Sequence, residues 1–211
     1  EAETGHRVSA SFGSTGKLYA QIRNGAPFDV FMAADVLRPE LIEEAQAGVN
    51  GTRFTYARGK LVLWSPTPDA FEDAPRYLEQ QPFARLAIAN PKTAPYGLAA
   101  QQVLEHIGQW QTLQPKLVRG DSIAQTFQFV VSRNAQAGFV AASQVKVWDE
   151  DAGTLWQVPQ AYYQPIDQQA ILLNRGASNE AARAWMDFLK SDTAIGIIRS
   201  YGYDEGHDAI N

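Results

Sequence analysis

The chain has 211 residues, 45% hydrophobic and 19% charged, which is enough apolar material for a real core in one or two α/β domains and excludes a disordered tail. Eighteen Lys and Arg against twenty-three Asp and Glu leave a net charge of −5, which argues against nucleic acid or an anionic membrane surface as the main partner. The absence of cysteine removes disulfides, thiolate nucleophiles, zinc ribbons and iron–sulfur clusters together. No apolar run approaches the ~20 residues of a membrane span, so no direct membrane insertion is expected.

In chain order, residues 1–6 read as the last turn of a helix with Gly5 at its C-cap, and residues 8–12 alternate like a strand. A domain seldom begins on the end of a helix, so a missing upstream segment is expected. Gly13-Ser14-Thr15-Gly16 is a turn, residues 18–22 a short helix and residues 28–32 a buried strand. A helix over 39–47 and strands over 54–56 and 60–64 follow, and the Pro- and Asp-rich stretch 65–75 reads as a surface excursion near a domain crossing. Beyond it lie a strand at 85–89, a helix at 97–106, a strand at 117–118, a helix at 122–132 and a strand at 138–141. A return crossing is placed at 163–165, before a long strand at 166–173 and two helices over 179–201. Strands alternating with helices predict parallel sheets flanked by helices.

Most catalytic signatures are missing. His6, His106 and His207 have no partner at metal-ligand spacing, which argues against a zinc hydrolase. No Gly-x-Ser-x-Gly elbow occurs, and Gly13-Ser14-Thr15-Gly16-Lys17 fails as a P-loop because Ser11 and Leu18 stand where Gly and Ser/Thr are required. The titratable residues near the helix starts are Lys17, Arg119 and Asp121, and Asp121 reads as the cap of the helix starting near Ser122. No catalytic residue is expected.

Three segments share one device, a strand followed by a small-residue turn and a helix start: residues 12–18, 90–98 and 120–124. The first turn of a helix carries N–H groups without intrahelical partners and the positive end of the dipole, so such starts can hold an oxyanion by neutral donors alone. Each segment taken singly reads equally as a plain N-cap.

The residues around these segments carry a resemblance. Ser11-Phe12-Gly13-Ser14-Thr15-Gly16, the block Gly25-Ala26-Pro27-Phe28-Asp29-Val30-Phe31-Met32-Ala33-Ala34-Asp35, Ala94-Pro95-Tyr96-Gly97 and Gly138-Phe139-Val140-Ala141 resemble the periplasmic molybdate-binding proteins of ABC transporters. The resemblance runs the length of the chain and implies a two-lobed, type II periplasmic-binding-protein fold of class α/β. Each lobe would be a mostly parallel sheet flanked by helices, with the ligand cleft between lobes. Lobe I is expected over 1–78 plus 167–211, without the family's N-terminal strand and helix, and lobe II over 79–166.

The resemblance further implies capture of molybdate or tungstate and delivery to an ABC transporter permease in the periplasm, with no cofactor and no metal beyond that of the oxyanion. By position, Thr15 would donate its N–H and hydroxyl with Ser14 beside it, and Tyr96 and Ile123 would donate backbone N–H groups. Some members add a tyrosine hydroxyl where this chain has Ala141. The alternatives are a binder of another oxyanion and a cytoplasmic oxyanion- or effector-sensing regulatory domain. A phosphate- or sulfate-handling transferase ranks last, for want of a base.

Overall fold

Apolar runs buried on both faces, at 61–65, 86–89 and 137–141, form the centre of one of two sheets, and helices cover those faces. The computed structural model describes residues 4–149 and 153–206. In chain order the elements are α1 (Thr15–Arg23), β1 (Val30–Met32), α2 (Leu37–Glu44), β2 (Phe54–Gly59), β3 (Leu61–Ser65), α3 (Ala74–Gln80), β4 (Leu86–Ala89), α4 (Pro95–His106), α5 (Trp110–Leu113), β5 (Leu117–Gly120), α6 (Ile123–Val131), β6 (Ala137–Ala141), α7 (Ala142–Asp149), β7 (Thr154–Gln157), β8 (Ile166–Leu172), α8 (Glu180–Phe188), α9 (Asp192–Ser200) and β9 (Asp204–Glu205). They fall into two compact units, one of residues 1–58, 167–200 and 204–211, the other of 59–166 and 201–203. Among the described residues no helix is long and apolar enough to cross a membrane.

The first unit is built on a sheet of order β1-β8-β2-β9. β1 runs antiparallel to β8 with Phe31 opposite Ile171, and β9 runs antiparallel to β2. Successive side chains of β8 point to opposite faces. Ile171 and Leu173 therefore join Phe31, Ala33 and Ile42 in one cluster, while Ala170 and Leu172 join Ala182, Met186 and Leu189 in another. Leu18, Tyr19 and Ile22 of α1 lie three and four residues apart and pack against the first cluster. The helix stops at Asn24, whose side chain donates to Ala20 O at 2.7 Å, followed by Gly25 at φ +84°, the left-handed conformation that favours glycine.

The second unit holds a sheet of order β5-β4-β6-β3-β7. β4 is parallel to β5 and β6, and β3 is antiparallel to β6 and β7. Its core gathers Val62, Trp64, Ala87, Phe127, Val130 and Val140, with the Trp64 and Phe127 rings stacked at 5.3 Å. α4 sits so close on the end of β4 that a Cβ at Gly97 would lie 2.4 Å from Ala89 O, a contact only glycine avoids.

The α/β class stands, with several corrections. In the second sheet parallel pairing is confined to β4 with its two neighbours, because β3 and β7 enter it as antiparallel strands. Residues 59–78 belong with the second unit rather than with lobe I, since β3 is buried along its length and pairs with β6 and β7. The other crossing lies between residues 166 and 167, and residues 201–203 return to the second unit. No strand forms over 8–12 although the residues alternate, and Phe12 is 93% exposed.

Residues 1–3 of the expected helix end lie outside the described residues, and Gly5 has φ +68°. Within the stretch 65–75, Asp73 and Pro75 begin α3 instead of a loop, with the Asp73 carboxylate accepting from Arg76 N at 2.9 Å.

Candidate functional site

The start of α1 departs from ordinary capping. Ser14 holds the extended N-cap conformation (φ −66°, ψ 144°), yet its side chain makes no capping hydrogen bond. The residue is 4% exposed, and its Oγ is buried without a hydrogen-bond partner. A buried hydroxyl left unpaired costs about 1–3 kcal/mol. Thr15, also buried, is the first helical residue, and its Oγ1 accepts from Ala34 N at 3.0 Å. With that lone pair engaged, the hydroxyl proton remains to be donated elsewhere. The acid next along, Asp35, is neutralised by Arg38 at 2.6 Å.

Tyr96 and Ile123 sit at the starts of α4 and α6, in the second unit. These helices follow β4 and β5, parallel neighbours whose last residues Ala89 and Gly120 are in register, and Asn90 N donates to Gly120 O at 2.8 Å. Both helix starts therefore open at the carboxyl end of the sheet, where ligands of open α/β folds bind. Before α4, the Asn90 carbonyl accepts from Thr93 N and Ala94 N at 3.1 and 2.9 Å, and its side chain accepts from Lys92 N at 3.1 Å. The Tyr96 ring is buried, so this residue contributes backbone to the helix start and packing from its side chain.

α6 is capped by Ser122, which accepts from Gln125 N at 3.3 Å. The expected cap, Asp121, plays no such part: its own N–H donates to Gln125 Oε1 at 2.6 Å. Ser outcompetes Asp because it occupies the position whose oxygen reaches the third helical N–H.

Electrostatics at these starts are uniform. The first turns of α1, α4 and α6 contain no acidic residue, as is also true of α3, α5 and α7, whereas α2, α8 and α9 carry Glu40, Glu180 and Asp192 there. Carboxylates normally favour that position because they offset the dipole, and leaving it bare keeps the N–H groups and positive potential for another anion. Ser14, Thr15, Tyr96 and Ile123 supply hydroxyl and N–H donors and no general base. Among the described residues no group of three or more His, Asp or Glu side chains is placed to hold a metal ion.

The bacterial extracellular solute-binding protein family matches residues 1–204. The chain belongs to that family. Its relatives include the molybdate-binding protein ModA of Azotobacter vinelandii, 52% identical over 204 residues, 96% of this chain and 81% of the relative. ModA of Rhodobacter capsulatus is 49% identical over 201 residues, 95% of this chain and 79% of the relative. The solved periplasmic molybdate-binding protein of A. vinelandii superposes with a TM-score of 0.92 at 40% identity, over 96% of this chain and 89% of that one. As a member of this solute-binding family, the chain is a binding protein and not an enzyme.

Three features of this solute-binding protein escaped the sequence reading. The Ala34 N–H that orients the Thr15 hydroxyl is nineteen residues away and leaves no local signal. Thr93 Oγ1, in the turn entering α4, is a second buried oxygen without a hydrogen-bond partner. Gln144 bridges two elements, its Oε1 accepting from Ala141 N at 3.1 Å and its Nε2 donating to Ile123 O at 3.2 Å. It thereby ties the end of β6 to the first residue of α6.

Proposed function

We propose that this solute-binding protein captures molybdate or tungstate in the periplasm and presents it to an ABC transporter permease. Thr15 donates its N–H and hydroxyl, Ser14 its hydroxyl, and Tyr96 and Ile123 their backbone N–H groups, so that closure of the two units is favoured by the ligand. The observation that carries this reading is the Ser14 hydroxyl, buried without a partner at a helix start stripped of acids. An oxyanion oxygen is the acceptor such a group lacks. Identity of about half to two molybdate-binding proteins supports the choice of ligand. Because molybdate, tungstate and sulfate are all tetrahedral dianions, selection rests on the size set by fixed donors rather than on charge.

A thermal-shift titration with molybdate, tungstate, sulfate and phosphate tests it, since a ligand that binds only the folded state raises the melting temperature by mass action. We expect a concentration-dependent rise with molybdate and tungstate at levels where sulfate and phosphate give none. A flat response to molybdate and tungstate contradicts the reading.

A further inference from the structure

Three strands that meet at the boundary between the units are neighbours in one sheet, with β2 between β8 and β9. Each places a charged residue at the limit of the first unit: Arg58 is its last residue before the crossing, and Asp167 and Asp204 are the first residues after the two returns. The central one pairs with the first acid and stands opposite the second. Arg58 Nε donates to Asp167 Oδ1 at 2.5 Å and Nη2 to Oδ2 at 3.2 Å, a two-point contact, while the β2–β9 register sets Asp204 opposite Arg58. The hydrogen bond to Asp167, with the nearby charge of Asp204, holds the guanidinium even more firmly in its charged form.

The second unit has ties of its own beside the same crossings. The Tyr163 hydroxyl accepts from Leu61 N at 3.2 Å, and the Ser143 hydroxyl donates to the Tyr203 hydroxyl at 3.0 Å. Between the ties lie residues 59–60 and 164–166.

We propose that Arg58, Asp167 and Asp204 form an ionic clasp that binds the three crossing strands into one edge, confining the bending that accompanies ligand capture to residues 59–60, 164–166 and the link from Tyr203 to Asp204. The proposal rests on the closure reading above. Hinges work through a few residues that absorb the dihedral change, and strands free to splay separately would spread it. A lone surface pair contributes little. This one is two-pronged and sits next to a second acid, and its removal leaves two carboxylates flanking a strand without their cation, an arrangement that repels.

The test compares the full chain with Arg58→Gln, Asp167→Asn, the double variant and Arg58→Lys, which keeps the charge but not the fork. Hydrogen exchange without ligand reads the clasp directly, and stopped-flow tryptophan fluorescence with molybdate reads closure. We expect amides of β2, β8 and β9 to exchange roughly three- to tenfold faster in both single variants, the double variant to be no worse than either, and Arg58→Lys to fall between. We also expect molybdate to leave faster by a similar factor, while the preference for molybdate over sulfate holds, because no ligand donor has changed.

Unchanged exchange overturns the clasp, and faster exchange with an unchanged off-rate overturns its role in closure. A parent chain that binds none of the oxyanions sinks the functional reading instead, and the exchange data then judge the clasp alone.

Discussion

Ser14 sets binding against stability within one side chain. Its hydroxyl is buried and unpartnered in the protein alone, so removing it relieves a penalty, yet it is the group assigned to the ligand. We expect Ser14→Ala to weaken molybdate binding by roughly ten- to a hundredfold in calorimetric titration, the worth of about 1.5–3 kcal/mol for a hydrogen bond to a charged group. In the same variant the ligand-free melting temperature should hold or rise. A fall in melting temperature with unaltered affinity would show that Ser14 is a structural residue. Gln144 acts at one remove, by tying Ala141 N to Ile123 O. Gln144→Leu should lower affinity about three- to tenfold, and Gln144→Glu, which can accept from Ala141 N but cannot donate to Ile123 O, should not restore it. Equal affinity in all three proteins would remove Gln144 from the account.

At the scale of elements, the seat of α4 on β4 depends on a missing side chain. Gly97→Ala would drive a Cβ into the Ala89 carbonyl and Asn90, backbone atoms that cannot step aside. We expect a loss of about 1–3 kcal/mol in urea denaturation, the usual cost of overpacking. In the first unit α2 is fastened by Glu43, which accepts from Arg53 Nε at 2.8 Å and from Gly51 N at 3.3 Å. The Arg53 hydrogen bond holds the Glu43 carboxyl below the usual carboxylate range. A depressed folded value means stability that is present above the unfolded glutamate value of about 4.3 and is lost as pH falls through the lower folded one. Glu43→Gln should therefore be slightly less stable than the parent at pH 7, and the difference should vanish below both values. A gap that persists in acid would point to lost packing instead.

Which elements were legible follows from where their information resides. The strands expected at 28–32, 60–64, 85–89 and 166–173 are rich in apolar residues, and β1, β3, β4 and β8 form within them. α3 is hard to read from the sequence because Asp73 and Pro75 serve turns and helix starts alike. β9 is two residues long and exists through its pairing with β2, a non-local fact. The stretch 8–12 shows the converse, a local alternation that does not become a strand. At the site, the helix starts were readable from turn chemistry and resemblance. The orphaned state of Ser14 Oγ and the hold of Ala34 on Thr15 are products of packing, which no spacing encodes.

For the molecule as a whole, the division into two units is the feature on which function turns, and its first boundary was the harder one to see. The expected crossing lies in the punctuated stretch 65–75, whereas β2 and β3, joined at Gly59 and Lys60, belong to different sheets. The second boundary coincides with Pro165 and the onset of β8, where punctuation and structure agree. A chain that runs back and forth between units, with an arginine beside one acid and opposite another at the limit of one of them, suits the opening and closing proposed above. The most direct test of the central claim is anomalous diffraction at the tungsten edge from crystals grown with tungstate. The account predicts one tungsten peak whose oxygens lie within about 2.7–3.2 Å of Ser14 Oγ, Thr15 N and Oγ1, Tyr96 N and Ile123 N. Tungsten elsewhere on the protein, with Ser14 Oγ still unpartnered, would contradict it.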